Sequence, residues 1–344
     1  MTMPPFERLW REMSGFMQTS ILAVLAERDL GTAILEKGNN SSAAELADYC
    51  SCDRRGTEAL LDALSAMGYL SKSGTGGDAR YAVAEEYKTY LDSRHPSTFI
   101  PMMRHMACLQ RTWARLTWSV KDGKPQEPIP SILGAEQDEI SFIMAMNSIG
   151  GKQVHEVIKS LREAGVLNFS KPDPRILDVG GASGTYAEAF LKELQGSSAT
   201  IFDLPVGIAQ AKKRFTGSDM EARVTLVEGD FTKCPLPAGF DFAWISAIIH
   251  QMDRSGSRML YAKTLDALYP GGTVAVRDYV MSEDRLSPVQ GAIFGINMFV
   301  NTQSGMVYTY GEIKEDLELA GFVNVTHAVD VPSMSAVVTA KKPE

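Results

Sequence analysis

The sequence predicts an α/β protein in which a mainly α-helical first part precedes a Rossmann-like domain with a mostly parallel sheet. Three observations predict this fold. Apolar residues recur at helical spacing before residue 170, short apolar strands alternate with helical segments after it, and glycines follow the first of those strands. Alternating strands and helices build a parallel sheet with right-handed crossovers. Such a sheet binds its ligands beyond the carboxyl ends of its strands.

Composition and charge narrow the class of protein. The 344 residues are too many for one small domain, and we divide them into residues 1–100, 101–170 and 171–344. A net charge of −8 repels phosphate backbones, so we expect no nucleic-acid partner. The chain carries neither a signal peptide nor an apolar run of about 18 residues, which predicts a cytoplasmic protein without a membrane partner.

The first part begins with short helices. Apolar residues from Gln18 to Leu35 recur at helical spacing and predict one or two buried helices. Ser42 followed by Glu45 has the spacing of a capping box and predicts the start of the next helix. A further helix opens at Asp53 and ends at Gly68.

Two extended pieces follow, Tyr69 to Lys72 and Arg80 to Val83, so the pattern is a helix-turn-helix with a hairpin wing. A winged helix can bind DNA or can pack and dimerise. The chain through Arg104 has 14 acidic residues against 11 basic ones, whereas a groove-reading surface needs a positive field. The charge balance therefore favours packing or dimerisation.

Residues 98–169 are helical in pattern and rich in methionine and aromatic side chains. Methionine adapts to the faces of flat rings, so this segment can wall a substrate pocket, although it can equally be ordinary core. Phe294, Met298 and Phe299 suggest a further apolar wall. The candidate pocket residues are Met102, Met106, Phe142, Met146, Phe294 and Met298.

Acidic residues and glycines stand at three consecutive strand ends of the second part. Asp178 and the glycines Gly180, Gly181 and Gly184 follow the first strand, with a spacing that differs from the dinucleotide motif Gly-x-Gly-x-x-Gly. Asp203 and Leu204 follow the second strand, where a carboxylate can accept hydrogen bonds from ribose hydroxyls. Asp230 and Phe231 follow the third, where they can bind an adenine amino group and flank its ring. Together these residues predict a nucleoside site.

These motifs resemble those of class I methyltransferases, specifically the metal-independent small-molecule O-methyltransferases that include plant phenolic enzymes, acetylserotonin methyltransferase and bacterial relatives. The matching segments are Phe142-Ile-Met-Ala-Met146, Asp178 to Gly184, Phe202-Asp203-Leu-Pro205, Gly229-Asp230-Phe231, Pro270-Gly-Gly272 and Ala320-Gly-Phe322. The resemblance implies a seven-stranded, mostly parallel sheet preceded by a winged-helix dimerisation domain. It also implies S-adenosylmethionine as cofactor, a homodimer and no metal.

The resemblance further implies a catalytic histidine after the fourth strand, which is His250 in Ile248-Ile249-His250-Gln251-Met252-Asp253. Asp278 follows the fifth strand, where many members have a glutamate that orients this histidine. Two positions depart from the plant pattern. Ser246 replaces a lysine or arginine near the cofactor, and Val307 replaces a second glutamate beside the histidine. Some cofactor contacts, Ser246 among them, must therefore differ.

The predicted function is O-methylation of a small hydroxylated aromatic substrate, with His250 as the general base and Asp278 fixing its tautomer. A carbon methyltransferase, or an enzyme of the same fold that uses the cofactor for decarboxylation or hydroxylation, is the alternative, and His250 disfavours it. A winged-helix regulator that binds DNA is opposed by the acidic balance. The identity of the acceptor stays open, because the shape of the pocket depends on packing.

Overall fold

A computed structural model describes the backbone of residues 3–344 and the side chains of residues 3–146 and 153–344. The chain forms two compact units. The first unit combines the chain up to Leu116 with Glu127–Ser148, and the second combines Thr117–Gln126 with Ile149–Glu344.

The first unit is mainly helical. Its helices enclose a core that includes Leu25, Leu46, Leu61 and Tyr81, all with no exposed surface. Two short strands form an antiparallel hairpin that pairs Leu70 with Val83. The elements in chain order are α1 (Pro5–Glu27), α2 (Leu30–Glu36), α3 (Ala43–Tyr49), α4 (Arg54–Ala66), β1 (Leu70–Ser73), β2 (Arg80–Val83), α5 (Lys88–Leu91) and α6 (Ile100–Trp113). Helices α7 (Leu116–Asp122) and α8 (Ala135–Glu163) each have residues in both units.

The capping box predicted at Ser42 is present, and a second side-chain cap begins α4. The Glu45 N–H donates to Ser42 Oγ at 3.2 Å and the Ser42 N–H donates to Glu45 Oε2 at 2.7 Å, which completes the capping box of α3. Asp53 Oδ1 accepts from the Gly56 N–H at 2.8 Å and caps α4. Each bond satisfies a backbone donor that the first helical turn leaves free, so these short helices have defined starts.

Helix α1 is longer than the sequence pattern predicts, because it begins at Pro5 and not near Gln18. Proline suits the first helical position, and Arg8 and Glu12 form an i,i+4 ion pair at 2.8 Å on the added turns. Apolar periodicity identifies a helix by its buried face, whereas the apolar side chains of these turns are exposed.

The second unit contains a seven-stranded sheet, which confirms the predicted mostly parallel sheet. Its strands are β3 (Arg175–Val179), β4 (Ser198–Asp203), β5 (Val224–Glu228), β6 (Phe240–Ser246), β7 (Leu268–Arg277), β10 (Val323–Val329) and β11 (Val337–Lys341), and β8 (Val280–Met281) and β9 (Tyr308–Thr309) form a separate parallel pair. The order in the sheet is β10-β11-β7-β6-β3-β4-β5. Strands β7, β6, β3, β4 and β5 run parallel, whereas β11 is antiparallel to β7 and to β10. The helices are α9 (Thr185–Glu193), α10 (Pro205–Phe215), α11 (Arg254–Ala267), α12 (Val289–Asn301) and α13 (Tyr310–Leu319).

Two apolar layers cover the two faces of this sheet, because side chains alternate along each strand. Phe242 and Trp244 of β6 pack with Phe190 of α9 in one layer. Ala243 and Ile245 of the same strand pack in the other layer, with α11 and α13. The carboxyl ends of β3, β4, β5, β6 and β7 meet at one edge of the sheet, and the predicted cofactor and catalytic residues lie at or just after those ends. Phe294 and Met298 lie on α12.

Strand β7 extends well beyond the predicted Val274–Val276, since it begins at Leu268 and ends at Arg277. A register shift between Phe240 and Phe242 lets Leu268 pair with Phe240 ahead of the regular ladder. Gly271, with φ of 74°, supplies the left-handed conformation that this irregularity needs.

Within the described residues, no helix has both the length and the apolar character needed to cross a membrane.

Candidate active site

The loop between β3 and α9 is a close-packed glycine turn. Gly180, Ala182 and Gly184 have φ of 66°, 47° and 76°. A Cβ added to Gly181 would lie 2.6 Å from the Asp178 carboxyl carbon, and one added to Gly184 would lie 2.6 Å from Ile201 Cδ1. Glycine is therefore required at both places, and the bare backbone allows a ligand to approach the end of β3.

Asp203 ties the end of β4 to this glycine turn. Its Oδ2 accepts from the Ala182 N–H at 2.7 Å, and its Oδ1 accepts from the Leu204 N–H at 2.6 Å. Partial burial raises the pKa of Asp203, and the two backbone donors act in the opposite direction. A carboxylate has about four lone-pair sites, so this one can accept two further hydrogen bonds from a ligand.

Asp178, at the end of β3, is a buried carboxyl group. It is 2 % exposed, and its Oδ2 has no hydrogen-bond partner in the part of the chain that the structure describes. Burial, together with the nearby Asp203 charge, raises the pKa of Asp178 to about 7. Desolvation disfavours the charged form of an acid, so this carboxyl titrates near neutral pH in the folded chain.

We expect Asp178→Asn to change how stability depends on pH. The pKa of Asp178 in the folded chain, near 7, lies above the ordinary value of about 3.9. The proton on Asp178 therefore contributes to the free energy of unfolding at low pH, and this contribution is lost as pH rises through 7. Asparagine does not titrate. Relative to the variant, the unmodified chain should lose about 1 to 1.5 kcal/mol of unfolding free energy between about pH 6 and 8.5. Urea denaturation at both pH values measures this, and parallel behaviour of the two proteins would contradict it.

Asp230, which follows β5, is engaged in its own turn. Its Oδ1 accepts from the Thr232 N–H at 2.9 Å and from Thr232 Oγ1 at 2.5 Å, and Lys233 Nζ lies 2.9 Å from its Oδ2. The bond to the Thr232 hydroxyl and the Lys233 ammonium lower the pKa of Asp230 to about 2. Phe231 is partly buried against the core. The carboxylate is thus ionised and orientated, as an acceptor for an amino group must be.

His250 and Asp278 form a buried pair at the ends of β6 and β7. They are 7 % and 1 % exposed, and His250 Nδ1 lies 2.9 and 2.8 Å from the two carboxylate oxygens of Asp278. The Tyr279 N–H also donates to Asp278 Oδ1, at 2.8 Å. A carboxylate beside Nδ1 selects the tautomer with hydrogen on that nitrogen, which leaves the Nε2 lone pair free. His250 Nε2 has no hydrogen-bond partner among the described residues.

Aromatic rings stand beside this pair. The Phe294 ring of α12 meets the His250 ring edge to face, with centroids 4.9 Å apart and an angle of 87°. Tyr279 packs on Phe294 at 5.3 Å. Met298 and Val307 are both buried, so the position where plant relatives have a second glutamate is apolar here. The surroundings of His250 thus combine one carboxylate with an aromatic wall.

The other four candidate pocket residues lie in the first unit. Met102 is 6 % exposed on α6, whereas Met106, one turn later, is 48 % exposed. Phe142 and Met146 of α8 are also exposed, and the Phe142 ring packs on His105 with centroids 5.1 Å apart. A pocket role for these four residues stays a prediction.

Sequence reasoning missed Arg277, the last residue of β7. Its guanidinium donates to Ser246 Oγ at 3.0 Å through Nη1 and to Gln153 Oε1 at 2.9 Å through Nη2. It also lies over the Tyr186 ring at 5.3 Å from the centroid. The available signal was a charged residue directly after the apolar run Val274–Val276.

Among the described residues, no cluster of three or more His, Cys, Asp or Glu side chains could hold a metal ion.

Comparisons with known proteins agree with this fold. Residues 113–323 match the family model of the O-methyltransferase domain, and residues 10–93 match that of the O-methyltransferase dimerisation domain. The chain is 29 % identical over 313 residues to 3-hydroxy-5-methyl-1-naphthoate 3-O-methyltransferase of Streptomyces sahachiroi, covering 90 % of this chain and 87 % of that protein. It is 28 % identical over 328 residues to acetylserotonin O-methyltransferase of Gallus gallus, covering 92 % of each. The crystal structure of human N-acetylserotonin methyltransferase in complex with SAM has the same fold, with a TM-score of 0.80 and 23 % identity. The match covers 100 % of this chain and 99 % of that chain.

Proposed function

This chain belongs to the O-methyltransferase family, and from that premise we propose how it acts. It is an S-adenosylmethionine-dependent O-methyltransferase in which His250 removes the proton of a hydroxyl group on a small aromatic molecule. The observation that carries the proposal is the buried His250–Asp278 pair beside an aromatic ring, at the strand ends that also present the nucleoside site.

The residues at the strand ends fit this cofactor. The turn after β3 is bare backbone at Gly181, where a Cβ would clash with Asp178, so a ligand can approach the main chain there. Asp203 has acceptor capacity left for the ribose hydroxyls, and Asp230 with Phe231 can hold the adenine amino group and ring. Leu204 is half exposed beside Asp203 and can cover the nucleoside. When bound, S-adenosylmethionine supplies a methyl group on a positively charged sulfur.

His250 performs the proton transfer. Nε2 would accept the hydroxyl proton of the acceptor as the acceptor oxygen takes the methyl group that bound S-adenosylmethionine would supply. Asp278 holds the ring by its Nδ1–H and balances the positive charge that His250 acquires. A phenol has an ordinary pKa of about 10, so it is mostly protonated near neutral pH and needs this base.

Phe294 and Tyr279 orient the acceptor. Displacement at a methyl group requires the oxygen, the carbon and the sulfur in line, so the enzyme must fix the plane of the acceptor. Aromatic rings pair edge to face or offset-stacked, and Phe294 lies within 4.9 Å of the His250 ring centroid. A hydroxylated aromatic ring packed on this wall directs its hydroxyl group at Nε2.

A screen of acceptors tests the proposed function. The panel contains hydroxynaphthoates, N-acetylserotonin and simple phenols, with S-adenosylmethionine that carries a deuterated methyl group. Each is paired with the same ring lacking the hydroxyl group. We expect mass spectrometry to find the label on the hydroxyl oxygen of at least one acceptor and on none of the paired controls. Label on ring carbon, or on no member of the panel, would contradict the proposal.

We further propose that two copies of the chain pair through the first unit. Residues 10–93 match a dimerisation domain, and α1 exposes a stripe of large apolar side chains that monomers rarely leave open. The stripe contains Phe6, Leu9, Trp10, Met13, Phe16 and Met17. Light scattering at micromolar concentration should give the mass of two chains, and Trp10→Glu with Met13→Glu should give that of one. A monomeric mass for the unmodified chain would contradict the pairing.

A further inference from the structure

Arg277 is a buried cation that forms no ion pair with any residue the structure describes. It is 5 % exposed, and no carboxylate lies within ion-pair distance of it in the described part of the chain. Residues 147–152, whose side chains are not described, contain no acidic residue. The contacts of the guanidinium are the neutral oxygens of Ser246 and Gln153 and the face of Tyr186, and its Nε has no hydrogen-bond partner among the described residues.

A buried guanidinium in neutral surroundings is costly, because the charge loses its hydration and gains no opposite charge in return. Arg277 has five N–H donors, and its two side-chain partners use only two of them. The free donors favour an anion, above all a carboxylate, which a guanidinium can bind through two parallel hydrogen bonds.

The position of Arg277 indicates which anion it takes. In the sheet order β7-β6-β3-β4, the glycine turn follows β3, Asp203 ends β4 on one side of it, and Ser246 and Arg277 end β6 and β7 on the other. Neighbouring strands lie about 4.8 Å apart. A ligand with its ribose at Asp203 that crosses the glycine turn therefore directs its far end towards the guanidinium.

We propose that Arg277 binds the carboxylate at the amino-acid end of S-adenosylmethionine. The inference rests on the proposed function and names a residue of its cofactor site. Tyr186 and Gln153 hold the guanidinium in place, and Ser246 directs it over the end of β6. Ser246 replaces the lysine or arginine of plant relatives, so the neighbouring strand supplies the cation here.

Calorimetry with two ligands tests this assignment. S-adenosylhomocysteine has the amino-acid arm, whereas 5′-methylthioadenosine keeps the adenosine and the thioether and lacks that arm. We expect Arg277→Met to weaken S-adenosylhomocysteine binding by at least roughly 30-fold and to change 5′-methylthioadenosine binding by less than about threefold. Equal effects on both ligands, or no effect on either, would overturn the proposal.

A rescue variant excludes a merely structural role for Arg277. Ser246 Oγ lies 3.0 Å from Arg277 Nη1, so Ser246→Lys brings an ammonium group to the place where the guanidinium now lies. Arg277→Met combined with Ser246→Lys should therefore regain at least about tenfold of the lost affinity for S-adenosylhomocysteine. A double variant that folds and binds no better than Arg277→Met would count against the carboxylate contact.

Arg223 offers a matched control. Its guanidinium donates to the Ser197 and Leu191 carbonyl oxygens near the start of β4, at the opposite edge of the sheet. Arg223→Met should leave the affinities for both ligands unchanged. If the unmodified chain binds 5′-methylthioadenosine and Arg277→Met keeps full affinity for S-adenosylhomocysteine, this inference fails and the proposed function stands. If the unmodified chain binds neither ligand, both fail.

Discussion

Replacement of His250 by alanine should lower turnover by at least roughly 100-fold and change the affinity for S-adenosylhomocysteine by less than about threefold. The His250 ring lies beside Phe294 with a nitrogen that can take a proton, and Asp278 fixes that nitrogen as Nε2. Its contacts run to Asp278 and Phe294, and the glycine turn and Asp203 do not depend on them. Initial rates with a genuine acceptor and calorimetry with S-adenosylhomocysteine measure the two quantities.

The pH dependence separates a base from a structural histidine. An acceptor that is already ionised needs no base, so the rate of His250→Ala should rise with pH towards the acceptor pKa of about 10. His327→Ala is a matched control, because that ring is half-buried and stacks on Tyr310 at 5.3 Å, away from the pair. Turnover of His250→Ala equal to that of the control would remove His250 as the base.

Replacement of Asp203 by alanine should weaken S-adenosylhomocysteine binding by at least roughly 50-fold. The variant loses the acceptor for the ribose hydroxyls and frees the Ala182 and Leu204 N–H groups, which now hold the glycine turn to β4. Asp241→Ala is the control: Asp241 accepts from the Arg175 N–H at 2.7 Å, near the opposite ends of the strands. Calorimetry should find the control unchanged.

A ligand variant tests whether the effect of Asp203 passes through the ribose. An analogue of S-adenosylhomocysteine that lacks a ribose hydroxyl should bind the unmodified chain more weakly than the parent ligand. Asp203→Ala should bind both with similar affinity, since the acceptor for that hydroxyl is gone. Additive losses from the two changes would mean that Asp203 acts only by holding the glycine turn.

The central sheet was predictable from sequence because each parallel strand is a short apolar run that ends at a polar or glycine residue. Asp178, Asp203 and Asp230 could be placed at strand ends in this way. The contact between His250 and Asp278 depends on how β6 and β7 align, and only the resemblance to a family indicated it. Arg277 was missed because its importance depends on which face of β7 it occupies.

The apolar pattern of the sequence does not specify which residues are buried or which distant strands pair, because both depend on tertiary packing. Met102 and Met106 lie one turn apart on α6, yet one is buried and the other exposed, because burial depends on what lies against each position. Residues before Gln18 form part of α1 although their apolar side chains face outward. The antiparallel pairing of β11 with β7 and β10 brings together distant segments whose partners the apolar pattern does not specify.

The placement of β11 has a consequence for how the enzyme is made. This strand follows every other strand of the sheet along the chain, yet it lies between β7 and β10, and the Asp278 N–H donates to the Ala336 carbonyl just before it at 3.2 Å. Ribosomes release a chain from its amino end, so β7 stays an open edge until β11 has emerged. We therefore expect a nascent chain to lack the backbone hydrogen bond that holds Asp278 until synthesis has passed this strand.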